Sequence, residues 1–263
     1  MKTNQQILNV AEQEIFRVHK VKVHALQLSA AMKILTCWLD GSREGMRYIV
    51  STNINNIVCS LESTRYYEVI ENADLSLPDG VPLLWIGRYK GFKLSRRCGI
   101  EEVMLATFEL SNQKNGYSHY FYGNTEQVLI DLKNYLNKNF PQLCIAGMHS
   151  PPFRALSEKE RSEHIKMIND SAPDFLWVSL GCPLQETWLW ENRYALFNVG
   201  IGGGAGAVFN LLTGHSMRTP ECLRMMGLEW VIRLISEPKR LWRRYLLRYP
   251  KFILAYLGLL KTA

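Results

Sequence analysis

Short apolar runs typical of β-strands alternate with amphipathic helical stretches along most of the chain. Five runs predict strands: residues 48–52, 117–122, 143–148, 174–180 and 196–201. Helical patterns accompany them at residues 55–71, 100–111, 126–139, 157–169 and 205–213. The run FLWVSL is almost entirely apolar, which is typical of a parallel strand covered on both faces. The alternation therefore predicts an α/β fold, a Rossmann-like sandwich with a parallel or mixed sheet.

The first 20 residues and the cysteines complete this outline. Ile7, Val10, Ala11 and Ile15 recur at helical spacing in a polar segment, which predicts a peripheral helix. No run of ~7–15 apolar residues follows the first lysine, so no secretory signal is expected, and no stretch of ~18 apolar residues predicts a membrane span. The six cysteines show no spacing typical of a zinc site, so no metal is expected, and they favour reduced thiols in the cytoplasm.

The excess positive charge lies in one C-terminal segment. The formal net charge is +7, and residues 218–263 hold ten Lys or Arg and three acids, whereas the preceding 217 residues hold 21 of each sign. Three prolines divide this segment into three predicted helical pieces. The middle piece interleaves arginines with aromatic and aliphatic residues, which suits an anionic membrane surface; a solvated basic face that closes the domain is the alternative. We therefore divide the chain into an α/β domain, residues 1–217, and a helical basic appendage, residues 218–263.

Residues that follow the predicted strands are candidates for chemistry, because ligands of α/β folds bind at the carboxyl ends of the strands. Asp79 ends a short strand in ADLSLPDG and could act as a general base, although a turn or cap explains it too. Gln185 and Glu186 open a helix beside the expected cleft. Gln185 could bind a uracil or a sugar hydroxyl, whereas Glu186 could instead be an ordinary first-turn acid. Arg96 and Arg97 precede a glycine and a helix start, which suits a diphosphate, with solvated arginines as the alternative.

The glycine-rich segment GIGGGAGAVF is a weak signal. Gly200, Gly202 and Ala205 fit a GxGxxA dinucleotide pattern only loosely. That unit needs an acid about 20 residues later at the end of the next strand, and no strand is predicted there, so a nicotinamide oxidoreductase is disfavoured. The glycines still allow a phosphate to approach a helix N-terminus, and a tight strand–helix crossover is the alternative.

Eight stretches, taken in order, carry a family resemblance across residues 48–252. They are STNINNIV, ADLSLPDGVPLLW, RRCGIEEV, YFYGNTEQV, GMHSPPF, PDFLWVSLGCPLQE, VGIGGGAGAVFNLLTG and RTPECLRMMGLEWVIRLISEPKRLWRRYLLRYPKF. Together they resemble the WecG/TagA/CpsF glycosyltransferase family. The resemblance implies an inverting hexosyltransferase that needs neither a metal nor another cofactor. It would move a sugar from a UDP donor to an undecaprenyl-diphosphate-linked saccharide, as a peripheral protein on the cytoplasmic face of the inner membrane.

The same resemblance assigns roles to individual residues. Asp79 matches the family's proposed base, which deprotonates the acceptor hydroxyl. Arg96 matches the arginine of the family's R-x-x-G pattern, and Arg97 takes its place if the register shifts by one. Asn53 matches the asparagine of a T-x-N pattern, in which Ser51 replaces the Thr and retains the hydroxyl group. The substrate-binding candidates are Ser51, Asn53, Arg96, Gln185 and Arg218, the last being the basic residue of the appendage best placed to reach the diphosphate.

The resemblance leaves the donor and the pathway open. UDP-glucose and UDP-N-acetylmannosamine are both compatible, with UDP-N-acetylmannosaminuronate as the alternative, in exopolysaccharide, teichoic acid or common-antigen synthesis. The appendage would hold the enzyme on anionic lipid and contribute to the active site. The alternative of another class is a nucleic-acid binding module, suggested by the basic and aromatic appendage, whereas a transferase predicts no nucleic acid. The sequence is compatible with a monomer or a homo-oligomer.

Overall fold

Six parallel strands form the central sheet of the computed structural model, which describes residues 14–41, 45–113 and 116–256. A separate antiparallel hairpin, β1 (Ile15–Val18) and β2 (Val21–His24), precedes them. The sheet strands are β3 (Arg47–Thr52), β4 (Leu75–Pro78), β5 (Ser118–Gly123), β6 (Cys144–His149), β7 (Phe175–Ser179) and β8 (Ile201–Gly204). Their order across the sheet is β4-β3-β8-β7-β5-β6. The α/β prediction is confirmed, and every pairing in this sheet is parallel.

Helices flank the sheet and follow most of its strands. They are α1 (Leu28–Asp40), α2 (Ile54–Glu62), α3 (Thr64–Glu71), α4 (Val81–Tyr89), α5 (Ile100–Ser111), α6 (Glu126–Asn139), α7 (Glu158–Ser171), α8 (Leu184–Asn192) and α9 (Val208–Leu212). Residues 15–18 form β1 and not part of a helix as predicted, because Phe16 and Val18 alternate with Arg17 and bury their side chains on one face. The rest of that predicted helix, residues 1–13, lies outside the described residues.

Each central strand buries both of its faces, which gives the domain two cores. In β7, Leu176 and Val178 join one core, while Phe175 and Trp177 join the other. All four side chains are at most 1% exposed. A strand covered on both sides has little room for polar residues, which explains the almost entirely apolar run FLWVSL, in which Ser179 stands at the end of the strand.

The glycines of β8 are required by close packing. A Cβ at Gly203 would lie 2.7 Å from Cζ3 of Trp177 and 3.1 Å from Cδ1 of Ile100, and one at Gly202 would lie 2.7 Å from Cδ2 of Leu189. The predicted strand at residues 196–201 is therefore misplaced: the strand is Ile201–Gly204, and it includes the glycines that the sequence pattern placed after it.

The C-terminal segment is helical, as predicted, but its divisions differ. It contains α10 (Glu221–Met225), α11 (Glu229–Ser236), α12 (Pro238–Trp242) and α13 (Tyr249–Tyr256), with a π-helical turn at Arg243–Arg248. Pro250 does not separate two pieces, because it is the second residue of α13, where a missing N–H is tolerated. No helix in the described ranges is long and apolar enough to span a bilayer.

The last helices pack on the α/β domain. Phe252 is 6% exposed and belongs to the core that contains the β1–β2 hairpin. Lys251 Nζ lies 2.9 Å from Glu62 Oε1, and Arg248 Nη1 donates to Asn55 Oδ1 at 3.3 Å. These contacts place α13 and the π-helical turn against α2. The division of the chain at residue 217 remains a prediction.

We expect Gly203→Ala to lower the free energy of unfolding by about 1–3 kcal/mol, since the new methyl group would overpack against Trp177 and Ile100. Gly41→Ala is the matched control, because Gly41 has a φ of −90° and its nearest Cβ contact would be 3.4 Å. Urea denaturation of both variants measures the difference. If Gly203→Ala and Gly41→Ala lost the same free energy of unfolding, the neighbours of Gly203 would accommodate the new methyl group without destabilising the fold.

Candidate active site

A cleft of about 870 Å³ opens at the carboxyl ends of β3, β4, β7 and β8. One wall comes from residues that directly follow these strands, which is where α/β proteins place their ligands. The C-terminal helices and the π-helical turn form the facing wall. Their lining residues include Glu229, Trp230, Arg233, Leu241, Arg243, Tyr245 and Arg248.

The first turns of four helices border this cleft. Residues 53–56 at the start of α2, 80–82 at the start of α4, 100–101 of α5, and Cys182, Gln185 and Glu186 at the start of α8 line it. Helix N-termini present backbone N–H groups and the positive end of the helix dipole. An arrangement in which several of them meet at one cavity suits an anionic ligand such as a phosphate group.

Asp79 lies in the cleft immediately after β4, as predicted. Its backbone N–H donates to Thr52 O at 2.9 Å, which extends the β3–β4 pairing by one residue. Gly80 follows with a φ of +99° and is the N-cap residue of α4. Gly99 faces the carboxylate so closely that a Cβ there would lie 2.7 Å from Oδ1 of Asp79. The Asp79 side chain is 26% exposed, so it is held in place yet accessible from the cleft.

Arg97 is the centre of an arginine–carboxylate cluster. Its guanidinium donates to Glu102 at 2.8 Å and to Glu101 and Glu229 at 3.0 Å each, and it lies 3.6 Å from Asp79 Oδ1. Burial alone would lower the pKa of Arg97, but the surrounding carboxylates outweigh burial and raise it. Arg97 therefore stays charged inside a cleft that it shares with four acids.

Arg96 lies outside the cleft. Its side chain is exposed, and the cleft is lined by Arg97. Of these neighbouring arginines, the structure therefore brings Arg97, the alternative register, to the cleft, and the substrate-binding role of Arg96 stays a prediction. The reason is local: Cys98 N–H donates to Pro78 O at 3.0 Å, so this loop runs beside the end of β4 and turns residue 97 inward.

Glu102 connects the cluster to the start of α5. Its Oε2 accepts the Gly99 N–H at 3.1 Å, and its Oε1 accepts from Arg97 and Arg224. Burial raises the pKa of Glu102, Arg97 opposes the rise, and Asp79 and Glu101 add to it, with a result of about 7. Glu102 thus titrates near neutral pH at a position that contacts both the loop and the arginines.

Two arginines of the C-terminal helices complete the cluster. Arg224 Nη2 lies 3.0 Å from Glu101 Oε2, and Arg233 Nη2 lies 2.5 Å from Glu229 Oε1. Arg218 also bonds Glu101, at 2.5 Å, but it does not line the main cleft and its side chain is 56% exposed. Of the appendage residues, Arg224 and Arg233 are therefore better placed than Arg218 to meet a ligand.

Ser51 and Asn53 lie at the cleft wall formed by β3 and α2, as predicted. Ser51 Oγ accepts the N–H of Ile100 at 3.2 Å and ties the start of α5 to β3. Asn53 caps α2, with Oδ1 accepting the backbone N–H groups of Asn55 and Asn56. Capping uses the amide oxygen, so Nδ2 is the part of Asn53 suited to donate to a ligand.

Gln185 also lines the cleft, but its amide joins protein segments. Oε1 accepts the N–H of Gly206 at 2.9 Å and that of Gly181 at 3.2 Å, while Nε2 donates to Glu186 at 2.9 Å. The side chain is 4% exposed and connects the loops after β7 and β8. The structure thus gives Gln185 contacts that set the shape of the cleft.

Sequence reasoning missed most of the arginine–carboxylate cluster. Glu101, Glu102, Arg224, Arg233 and Glu229 were not candidates, although two acids in the first turn of a predicted helix are typical of a helix N-terminus. Nothing in the linear sequence indicated that α10 and α11 would face that helix start. In the described ranges, no three His, Cys, Asp or Glu side chains are grouped so that they could hold a metal ion.

Comparisons with known proteins identify the family of the chain. The model of the Glycosyl transferase WecG/TagA/CpsF family matches residues 16–262, so the chain belongs to this family of glycosyltransferases. An N-acetylglucosaminyldiphosphoundecaprenol N-acetyl-beta-D-mannosaminyltransferase from Bacillus spizizenii (strain ATCC 23059 / NRRL B-14472 / W23) is 30% identical over 222 residues, covering 84% of this chain and 82% of the relative. The protein with the same name from Bacillus subtilis (strain 168) is 28% identical over 210 residues, covering 80% and 78%.

Family membership confirms the predicted resemblance and the transferase class. The nucleic-acid alternative rested on the basic appendage. In the structure Arg224, Arg233 and Arg248 of that segment turn to the cleft and contact carboxylates or α2. No other feature of the described residues favours a nucleic-acid binding module.

We expect Glu102→Gln to remove a pH dependence of stability. With its pKa raised to about 7, native Glu102 keeps a proton between pH 4.5 and 7 that the unfolded chain releases. The native state of the wild type therefore loses stability as pH rises through that window, by up to about 3 kcal/mol, whereas the glutamine variant does not. Urea unfolding at several pH values measures both. A constant stability difference between the two proteins from pH 4.5 to 7.5 would contradict the raised pKa.

Proposed function

We propose that this protein transfers N-acetylmannosamine, with inversion, from UDP-N-acetylmannosamine to N-acetylglucosaminyl-diphospho-undecaprenol. The names of the two Bacillus relatives, which specify an N-acetylmannosaminyl group and an N-acetylglucosaminyl-diphospho-undecaprenol, support this donor sugar and this acceptor. UDP-glucose and UDP-N-acetylmannosaminuronate are the alternative donors. A donor screen on the purified protein, with a GlcNAc-diphosphate-lipid acceptor, tests the choice directly.

One observation carries the choice of base. Glu101, Glu102 and Glu229 each accept close contacts from arginines, at 2.5–3.1 Å, whereas Asp79 lies 3.6 Å from Arg97. The Asp79 carboxylate therefore keeps lone pairs for another proton donor. We assign it the acceptor hydroxyl: Asp79 takes the proton while the hydroxyl oxygen bonds the anomeric carbon, and the bond to UDP breaks on the opposite face.

The arginines and helix N-termini suit the leaving group. As the bond to UDP breaks, negative charge accumulates on the diphosphate and must be stabilised in place. Arg97, Arg224 and Arg233 surround the cleft beside the first turns of α2, α4, α5 and α8. Their glutamate partners hold the guanidinium groups in position before substrate arrives, so little reorganisation is needed.

The appendage, residues 218–263, would serve the cleft and the membrane together. Trp230 and Arg233 of its described part line the cleft. Other apolar side chains of the same segment are exposed, namely Trp242, Leu246, Leu247, Ile253 and Leu254. Exposed apolar residues among arginines favour peripheral binding to an anionic bilayer, which would hold the protein at the cytoplasmic membrane face near a lipid-linked acceptor.

We expect Asp79→Asn to lower kcat by about 10²–10⁴-fold, the usual contribution of a general base, while UDP still binds. Asp170→Asn on the exposed side of α7 is the control and keeps wild-type rates. Transfer from labelled UDP-sugar and titration with UDP measure the two quantities. Wild-type turnover in Asp79→Asn would rule out Asp79 as the base.

The two neighbouring arginines provide a matched pair. Arg97→Gln should lower kcat/KM by about 10²–10³-fold, because it removes a charge that meets the diphosphate and also the link to Glu229. Arg96→Gln should change the rate less than threefold with a detergent-solubilised acceptor. If Arg96→Gln proved the more damaging change, the register that the structure gives for this loop would be wrong.

A further inference from the structure

A surface on α4 and the following loop combines exposed aromatic rings with lysine and arginine. Trp85 is 57% exposed and Tyr89 is 88% exposed. Lys90, Lys93 and Arg96 are exposed beside them in the chain. We call these five residues the α4 patch.

The α4 patch is locally positive although residues 1–217 are neutral overall. No Asp or Glu occurs from residue 80 to residue 100, and five Lys or Arg do. Within the described ranges, Lys90, Lys93 and Arg96 form no ion pair with a carboxylate, whereas Arg97, which turns inward, meets four. The outer cations of this segment are therefore available to an external anionic partner.

Local contacts hold the α4 patch in shape. Arg88 at the end of α4 donates to the carbonyl groups of Leu94 at 2.5 Å and Ser95 at 2.8 Å, which fixes the loop after the helix. On the inner side Phe16 and Phe92 pack with ring centroids 5.6 Å apart. A surface with a fixed backbone and exposed aromatic rings can meet a partner without first becoming ordered.

The segment that carries the α4 patch, residues 80–100, reaches the cleft at both ends. It starts one residue after Asp79, and it includes Gly99, which faces the Asp79 carboxylate. Gly227, which precedes α11, lies against Val81, so that a Cβ at Gly227 would be 3.4 Å from Val81 Cβ. The first turn of α4 thus belongs to the cleft wall, and the α4 patch lies further along the same helix and its loop.

We propose that the α4 patch is a second membrane-contact surface, which binds anionic lipid headgroups and inserts Trp85 and Tyr89 at the bilayer interface. Tryptophan and tyrosine favour the interfacial region, and each lysine near an anionic leaflet adds to the attraction. The choice of a bilayer rather than another anion rests on the proposed function, since a lipid-linked acceptor must reach the cleft from a membrane. Together with the appendage, the α4 patch would set how the cleft faces the bilayer.

The binding test uses the full chain without substrates. Lys90→Glu/Lys93→Glu is compared with Lys133→Glu/Lys138→Glu, which makes the same change of charge on exposed positions of α6. Vesicles of phosphatidylcholine with and without phosphatidylglycerol are sedimented with each protein. We expect the patch variant to bind anionic vesicles about 10–100-fold more weakly than the wild type, and the α6 variant to stay within threefold. Equal binding by the two variants would overturn the proposal.

A second measurement reports on insertion and not on charge. Vesicles that contain brominated lipid quench the fluorescence of a tryptophan that enters the bilayer. Trp85→Phe should lower the quenched fraction while binding stays within threefold of the wild type. Unchanged quenching would show that Trp85 stays out of the bilayer and would contradict the proposal.

Further outcomes separate the proposal from its neighbours. Light scattering reports the oligomeric state of the patch variant. If this variant binds vesicles normally but changes its oligomeric state, the α4 patch pairs two copies of the chain, and the membrane assignment is overturned. Because vesicle binding is measured without donor or acceptor, a failure of the transferase assay leaves this test intact. The Lys90→Glu/Lys93→Glu variant should also retain its rate on a detergent-solubilised acceptor and lose rate only with acceptor in vesicles.

Discussion

One buried guanidinium holds the two walls of the cleft together. Arg97 lies on the loop before α5 and bonds Glu102 on that helix, Glu229 at the start of α11, and approaches Asp79 after β4. Removing a partner from such a group leaves a charge in a poorly solvated place, which costs more than a surface pair would. The position of the appendage over the sheet therefore depends on an ion cluster, and the same cluster forms the part of the cleft suited to a diphosphate.

The arginines of the cleft are paired before any substrate is present. Arg97, Arg224 and Arg233 face Glu101, Glu102 and Glu229, so the charges of this cluster largely balance within the protein. A bound diphosphate would share these guanidinium groups with fixed carboxylates. Because these guanidinium groups are shared with carboxylates, they favour a diphosphate whose negative charge increases during the reaction over one that is merely anionic. A site of this kind stabilises the transition state more than the bound substrate.

The sequence predicted the parts of the site that follow from strand ends. Asp79 and Asn53 come directly after β4 and β3, Ser51 is the last residue but one of β3, and parallel strands bring their carboxyl ends to one edge. It named Arg96 first and Arg97 as the alternative, because the choice depends on a backbone bond from Cys98 to Pro78 across the loop. The resemblance implied that the appendage contributes to the site, but not through which residues other than Arg218, since the approach of α11 to α5 is a long-range contact that no local pattern encodes. The glycines of β8 were misjudged because their neighbours, such as Trp177, are distant in sequence.

The contact of Phe252 with the β1–β2 hairpin joins the two ends of the described chain. Phe252 packs edge-on against His19, with ring centroids 5.8 Å apart, and the surrounding core includes Val18 and Val21. A chain cut at residue 217 would lose this cover and would expose the apolar side of the hairpin and α2 to water. Such a fragment would tend to self-associate. A change in its membrane binding or activity would therefore reflect the exposed core as well as the loss of the appendage.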